Sequence, residues 1–378
     1  MTTGLAHRDA NRIALLDIMR GYALLVIPVN HLWAAAAAAG IAAWHIPTTT
    51  MLGFSTSAEV LVFTSGYAFV LANRRRMAGQ GMLAVQKSAI RRALRLLAVN
   101  GAMLAAIWLA LATLRFNPGG DLPKIWQVLL SPAERLMDLL GHLAAPIPTL
   151  FTFDILPLYA IILLAAPLAK RCLRQAPALT LSVSGLLYAL ACFGPLDHEA
   201  LDIAPESFNP LAWQAVFMLG MGAAMQGWLR QPPSLRLLPA VAAMLVAGLV
   251  WALSQRYPIT IPGVPAVPEL PFTGHADLGL LPILHFLSMI ITAAWIYHAI
   301  PARLKAPLHA TLGTVGRSGL VIYVIGNVMQ FAAVPLLAQL GPMRAASVAV
   351  SSGLAIALVV LARWRMRMIL ARRVTVTS

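Results

Sequence analysis

About ten times along the chain, apolar residues run on for close to the length a helix needs to cross a bilayer, roughly 20 residues. The windows fall near 13–33, 56–73, 93–114, 149–169, 177–194, 209–228, 237–254, 278–299, 310–336 and 345–364. In hydrocarbon, backbone N–H and C=O groups must be satisfied within the protein, so such windows predict helices and not open strands. The expected fold is an all-α polytopic membrane protein of about ten transmembrane helices, one integral-membrane domain over residues 1–378. Composition agrees. Of 378 residues, 60% are hydrophobic and 11% charged, whereas a soluble domain carries about 25% charged residues.

The formal net charge is +15. A continuous basic face would suit nucleic acid, but here the cations alternate from loop to loop, as membrane topology requires. With the N-terminus in the cytoplasm, 21 of the 28 Lys and Arg residues fall in cytoplasmic segments and 5 on the opposite side. Arg20 and Arg317 are left within or near helices. The bias predicts that both termini are cytoplasmic, that the partner is a lipid bilayer, and that nucleic acid is not bound. The first window is expected to be a retained helix, because Asp17 and Arg20 would interrupt the apolar core of a cleaved signal. Cys172 and Cys192 are the only cysteines and give no disulfide framework.

The first window carries the charges that matter most. Asp17, Arg20, Leu24, Ile27 and His31 follow 3,4,3,4 spacing and share one stripe. Arg20 and His31 are eleven residues apart. On a regular helix they lie about 20° apart in rotation and roughly 16 Å apart along the axis. Ionisable groups are expensive inside a membrane and mark functional sites by default. The stripe thus places a cation toward one membrane face and a candidate general base toward the other, with Pro28 a potential kink between them.

Two carboxylates join the candidate site. Glu59 opens the second window, Asp154 enters the fourth, and both belong to the external side, where His31 ends the first. If these three helices are neighbours, His31 has a carboxylate to fix its tautomer and steady the imidazolium. The structural alternatives stay open. Asp17 and Arg20 at i and i+3 can be an ion pair, Glu59 can be a helix-terminus charge, and Asp154 can be a hydrogen-bond anchor. His285, in the eighth window, is expected in an interhelical or supporting role. Arg317, near the cytoplasmic end of the ninth, can join Arg20 and Arg91 in holding an anionic headgroup or phosphate. Ordinary positive-inside charge is the alternative for Arg91. The chain has no P-loop, no dinucleotide fingerprint, no zinc-ligand spacing and no Gly-x-Ser-x-Gly elbow. No metal and no permanently bound cofactor are expected.

At these residues a family resemblance enters. Asp17-x-x-Arg20-Gly21, with Asn30-His31 beyond it, is similar to the Arg-x10-His signature of the membrane acyltransferase-3 superfamily. Within that superfamily, the run from Gly53 to Tyr67 resembles the OpgC family. Ile155-Leu156-Pro157-Leu158-Tyr159, Phe208-Asn209-Pro210, Leu284-His285-Phe286-Leu287 and Gly316-Arg317-Ser318 fit the same family. The resemblance implies a ten-helix fold, cytoplasmic acyl-CoA as donor substrate, and a periplasmic polysaccharide or oligosaccharide, an osmoregulated glucan, as acceptor. It puts Arg20 at the signature arginine and His31 at the signature histidine. The function expected is O-acyl transfer, succinyl or acetyl, with His31 as base. A transporter or flippase for an acylated carrier or glycolipid is the alternative. A non-catalytic scaffold is a third, disfavoured because it gains nothing from intramembrane charge.

Overall fold

The computed structural model describes residues 13–116, 155–197, 208–256, 278–341 and 343–377. Each of the ten apolar windows holds a helix, and the described residues contain no strand. The helices are α1 (Ala14–Ala38), α2 (Ala58–Ala72), α3 (Arg74–Thr113), α4 (Ile155–Gln175), α5 (Pro177–Phe193), α6 (Pro210–Gln226), α7 (Leu238–Arg256), α8 (Leu280–Ala299), α9 (Gly319–Leu340) and α10 (Arg344–Thr377). A short helix (Ala302–Leu308), a π-helical turn (His309–Gly313) and one further turn (Thr314–Arg317) lead into α9.

Among the described residues, seven helical stretches are long and apolar enough to cross a membrane: 14–38, 79–113, 155–175, 235–255, 280–299, 319–340 and 344–371. α2 and α5 are apolar but shorter, at 15 and 17 residues. α3 is two helices joined where Gly81 takes φ +76°, a left-handed conformation that glycine adopts without a Cβ clash.

The chain gathers into two compact units, each built from separated segments. One comprises Met1–Leu16, Thr49–Arg95 and Asp154–Lys305; the other comprises Asp17–Thr48, Leu96–Phe153 and Ala306–Ser378.

In the first unit α2 is the central element, packed on α4, α6 and α8. Its contact with α6 is a reciprocal glycine seam. A Cβ on Gly66 would overlap the Phe217 carbonyl, and one on Gly220 would overlap the Phe63 carbonyl. Bare glycines let the two backbones touch, which is how helices gain dispersion contact where no water is available to drive association. The C-terminal carbonyls of α2 are satisfied by side chains. Lys170 Nζ donates to Val70 O at 3.2 Å and Asn73 Nδ2 to Phe69 O at 3.0 Å. Both side chains are buried; Val70 O is among the last carbonyls of α2, which a helix end leaves short of donors, and Phe69 O also accepts from the Asn73 amide at 3.2 Å.

In the second unit the same small-residue logic joins α1 to the approach of α9. A Cβ on Gly21 would overlap the Leu312 carbonyl, and one on Gly316 would overlap the Asp17 carbonyl. Along α9 the contact continues to Gly326, where an added Cβ would meet Pro28 Cγ at 3.4 Å. Pro28 does not interrupt α1, which runs unbroken for 25 residues. α10 packs on α9. Ile356, Val360 and Trp364 form an exposed apolar stripe on α10, and Val246, Leu249, Val250 and Leu253 form another on α7. Such stripes are unfavourable in water and at home in acyl chains.

Candidate functional site

The second unit holds Asp17, Arg20, His31 and Arg317. Arg20 and Asp17 are half-buried on α1 and His31 is exposed near its C-terminal end. Because α1 is continuous from Arg20 to His31, the eleven-residue spacing corresponds to roughly 16 Å along its axis.

Arg20 meets the start of α9: a Cβ on Gly319 would lie 3.6 Å from Arg20 Cδ and 3.9 Å from Leu24 Cδ1. Arg317 stands two residues before that glycine and is exposed. Arg317 is turned back on its own chain, with Nε donating to Gly313 O at 3.1 Å and Nη2 to His309 O at 3.4 Å. Both carbonyls belong to the π-turn, and a guanidinium still has donors to spare, since it carries five N–H groups. Ser318, between them, is 2% exposed and caps nothing with its hydroxyl.

Around His31 the chain folds back after α1. Asn30 Oδ1 accepts from Thr48 Oγ1 at 2.9 Å and lies 3.2 Å from His45 Nε2. The ring of Trp33 lies 4.8 Å from that of His45, and Trp33 Nε1 donates to Ala43 O at 3.1 Å. The Trp44 amide donates to Ser347 Oγ at the start of α10 at 3.0 Å. These bonds pin residues 43–48 against the end of α1 on either side of His31 and leave the imidazole exposed.

The first unit holds Glu59, Arg91 and His285. Glu59 is fully buried and its carboxylate is committed locally. Oε1 and Oε2 accept from the Thr56 amide at 3.1 and 3.0 Å, and Oε2 also accepts from Thr56 Oγ1 at 2.5 Å. Thr56 Oγ1 in turn accepts from the Ala58 amide at 3.2 Å. Thr56-x-x-Glu59 is thus a capping box that satisfies the first orphan amides of α2. Of the two readings open in the sequence, helix-terminus group and partner of the base, the observed bonds are those of the first.

His285 is 1% exposed and lies 2.7 Å, at Nδ1, from Ser55 Oγ. The Ser55 amide also donates to Nδ1 at 3.4 Å. Gly53 and Gly248 form its cradle, since a Cβ on either would overlap the imidazole, and Phe54 meets it edge-on at 6.0 Å. The ring fixes the loop that delivers the capping box. Arg91 is exposed on α3. Asp154, the other proposed partner of His31, lies outside the described residues. Among the described residues no three His, Cys, Asp or Glu side chains are grouped to hold a metal ion, and Cys172 and Cys192 are not joined in a disulfide.

Ser55, Asn30, His45 and Thr48 had no part in the sequence-derived site. Thr56-x-x-Glu59 at the start of an apolar run is a legible capping signature. The pairing of Ser55 with His285, 230 residues away, has no local signal.

Helices that bury polar groups inward and expose apolar stripes outward define a multi-pass α-helical membrane protein. The model of the family described as OpgC protein matches residues 12–369, and the chain belongs to that family. No curated protein and no solved structure matches it. Membership implies an acyltransferase that works at a membrane.

Proposed function

We propose that this protein is an inner-membrane O-acyltransferase that moves an acyl group, succinyl or acetyl, from cytoplasmic acyl-CoA to a hydroxyl of a periplasmic glycan. The observation that carries the proposal is the unbroken α1, with Arg20 beside the start of α9 and an exposed His31 eleven residues beyond. That interval, roughly 16 Å, is of the order of an extended pantetheine arm, so a donor held by its phosphates at the Arg20 end presents its thioester at the His31 end. Arg20 and Arg317 supply the charge for those phosphates, since guanidinium pairs with phosphate through parallel N–H bonds.

The chemistry needs no covalent enzyme intermediate. A neutral His31 takes the proton of the acceptor hydroxyl as its oxygen attacks the thioester carbonyl. The tetrahedral intermediate collapses with cleavage of the C–S bond, and the imidazolium returns the proton to the leaving CoA thiolate. The products are an O-acyl glycan and CoA.

The test is mass spectrometry of envelope glycans from cells with the wild-type protein, with His31→Ala at equal membrane abundance, and with neither. Acyl groups present only with the wild type support the proposal. Equal acylation with His31→Ala removes His31 as base. Acylation unchanged without the protein removes the function and leaves the transporter class in its place.

A further inference from the structure

Gln330 is fully buried in α9, and its side-chain carbonyl Oε1 has no hydrogen-bond partner among the described residues. A buried unsatisfied carbonyl costs about 1–3 kcal/mol. Its orientation is enforced from below. Asn327 Nδ2 donates to Tyr323 O at 2.8 Å, which turns Asn327 Oδ1 toward Gln330 Nε2 at 3.3 Å. The Gln330 amide therefore gives its N–H to the helix and presents its oxygen away from Asn327.

The packing register says what that oxygen faces. α1 and α9 run parallel in contact, Gly319 against Arg20 and Leu24, and Gly326 at the meeting of Pro28 on α1 with Leu358 on α10, where an added Cβ would lie 3.4 Å from each. Eleven residues on from Gly319, Gln330 returns to within about 20° of the same face of α9. Eleven residues on from Arg20 is His31. Both helices advance at the same rise, so Gln330 lies on the α1-facing side of α9 within about one turn of His31. On α1 at that level Val29 and Leu32 have no side-chain donor, and Asn30 Oδ1 is engaged by Thr48 Oγ1 and His45 Nε2.

We propose that Gln330 is the positioning residue of His31. Its carbonyl accepts a hydrogen bond from one imidazole N–H after a side-chain rotation of His31, leaving the other ring nitrogen bare to act as base. A neutral acceptor does for the ring what a carboxylate does elsewhere: it selects the tautomer and holds the imidazolium. The inference rests on the acyltransferase assignment for its kinetic consequence and on packing alone for the pairing.

The experiment uses the full-length protein in nanodiscs, with Gln330→Leu, which removes the acceptor, and Gln330→Glu, which keeps one. The expected result is a kcat lowered about tenfold or more in Gln330→Leu, a fraction of the 10²–10⁴ a general base supplies. The donor KM stays unchanged and Gln330→Glu restores most of the rate. In parallel, nitrogen-15 NMR of labelled histidine, assigned with His31→Ala, should show a hydrogen-bonded His31 N–H in the wild type that is lost in Gln330→Leu. A Gln330→Leu protein with wild-type kcat overturns the proposal, as does a loss that Gln330→Glu shares. If the wild type transfers no acyl group, the acyltransferase assignment falls and the pairing is decided by NMR: the same His31 signal in wild type and Gln330→Leu overturns it.

Discussion

Ser55 and His285 are held 2.7 Å apart, hydroxyl to imidazole Nδ1, although 230 residues separate them in sequence. The pair ties α8 to the loop that launches α2, and both side chains are buried. His285→Ala leaves the Ser55 hydroxyl and amide without their shared partner, at a cost of about 1–3 kcal/mol. Ser55→Ala should lose less, because the backbone bond to the ring persists. Gly248→Ala should resemble His285→Ala by displacing the ring. Thermal unfolding in detergent, ranked across the three variants, checks this.

The seam between α1 and the residues before α9 yields a contrast within one residue type. Gly316→Ala drives a methyl into the Asp17 carbonyl and is expected to destabilise by about 1–3 kcal/mol, the usual penalty of overpacking. Gly353→Ala enters open space on α10 and should be neutral or stabilising by up to about 1 kcal/mol, alanine's helical advantage over glycine. Melting temperatures of the two variants test the seam directly.

Glu59 separates a cap from a catalytic group. Glutamine can keep a capping box, since its carbonyl also accepts from the Thr56 amide. Glu59→Gln is therefore expected to fold and to transfer acyl groups near the wild-type rate, whereas Glu59→Ala should lose about 1 kcal/mol of stability. Measuring rate and melting temperature on both variants decides the role: an inactive but stable Glu59→Gln would return the carboxylate to the chemistry.

Charge bias makes a topological prediction. In a background with Cys172→Ser and Cys192→Ser, Arg303→Cys should react with a membrane-impermeant thiol reagent only from the cytoplasmic side, and Arg344→Cys only from the periplasmic side. Labelling of intact cells against inverted vesicles reads the result.

Much of the fold was legible because hydrocarbon is an unforgiving solvent. A helix stands in every apolar window, and Arg20 and His31 both lie on the first, α1. Pro28, the candidate kink, lies inside a helix that continues past it. What could not be read was pairing between distant segments. Nothing local marks Ser55 as the partner of His285, or Gly316 as the seat of the Asp17 carbonyl. Periodicity assigns a face to each residue and leaves its neighbour unspecified. The donor role of Arg317 was argued from its position near a helix end. The π-turn that occupies two of its N–H groups depends on backbone geometry that sequence periodicity does not report.

The central claim is that α1 delivers a cytoplasmic donor's acyl group to a hydroxyl beside His31. The direct measurement is CoA release and glycan mass in proteoliposomes, with acyl-CoA on the side of the basic loops and glucan on the other. The account predicts one CoA freed per acyl group gained by the glucan with wild-type protein, and neither with His31→Ala. Acyl-CoA or glucan crossing the membrane chemically unchanged, with no CoA freed, would contradict it.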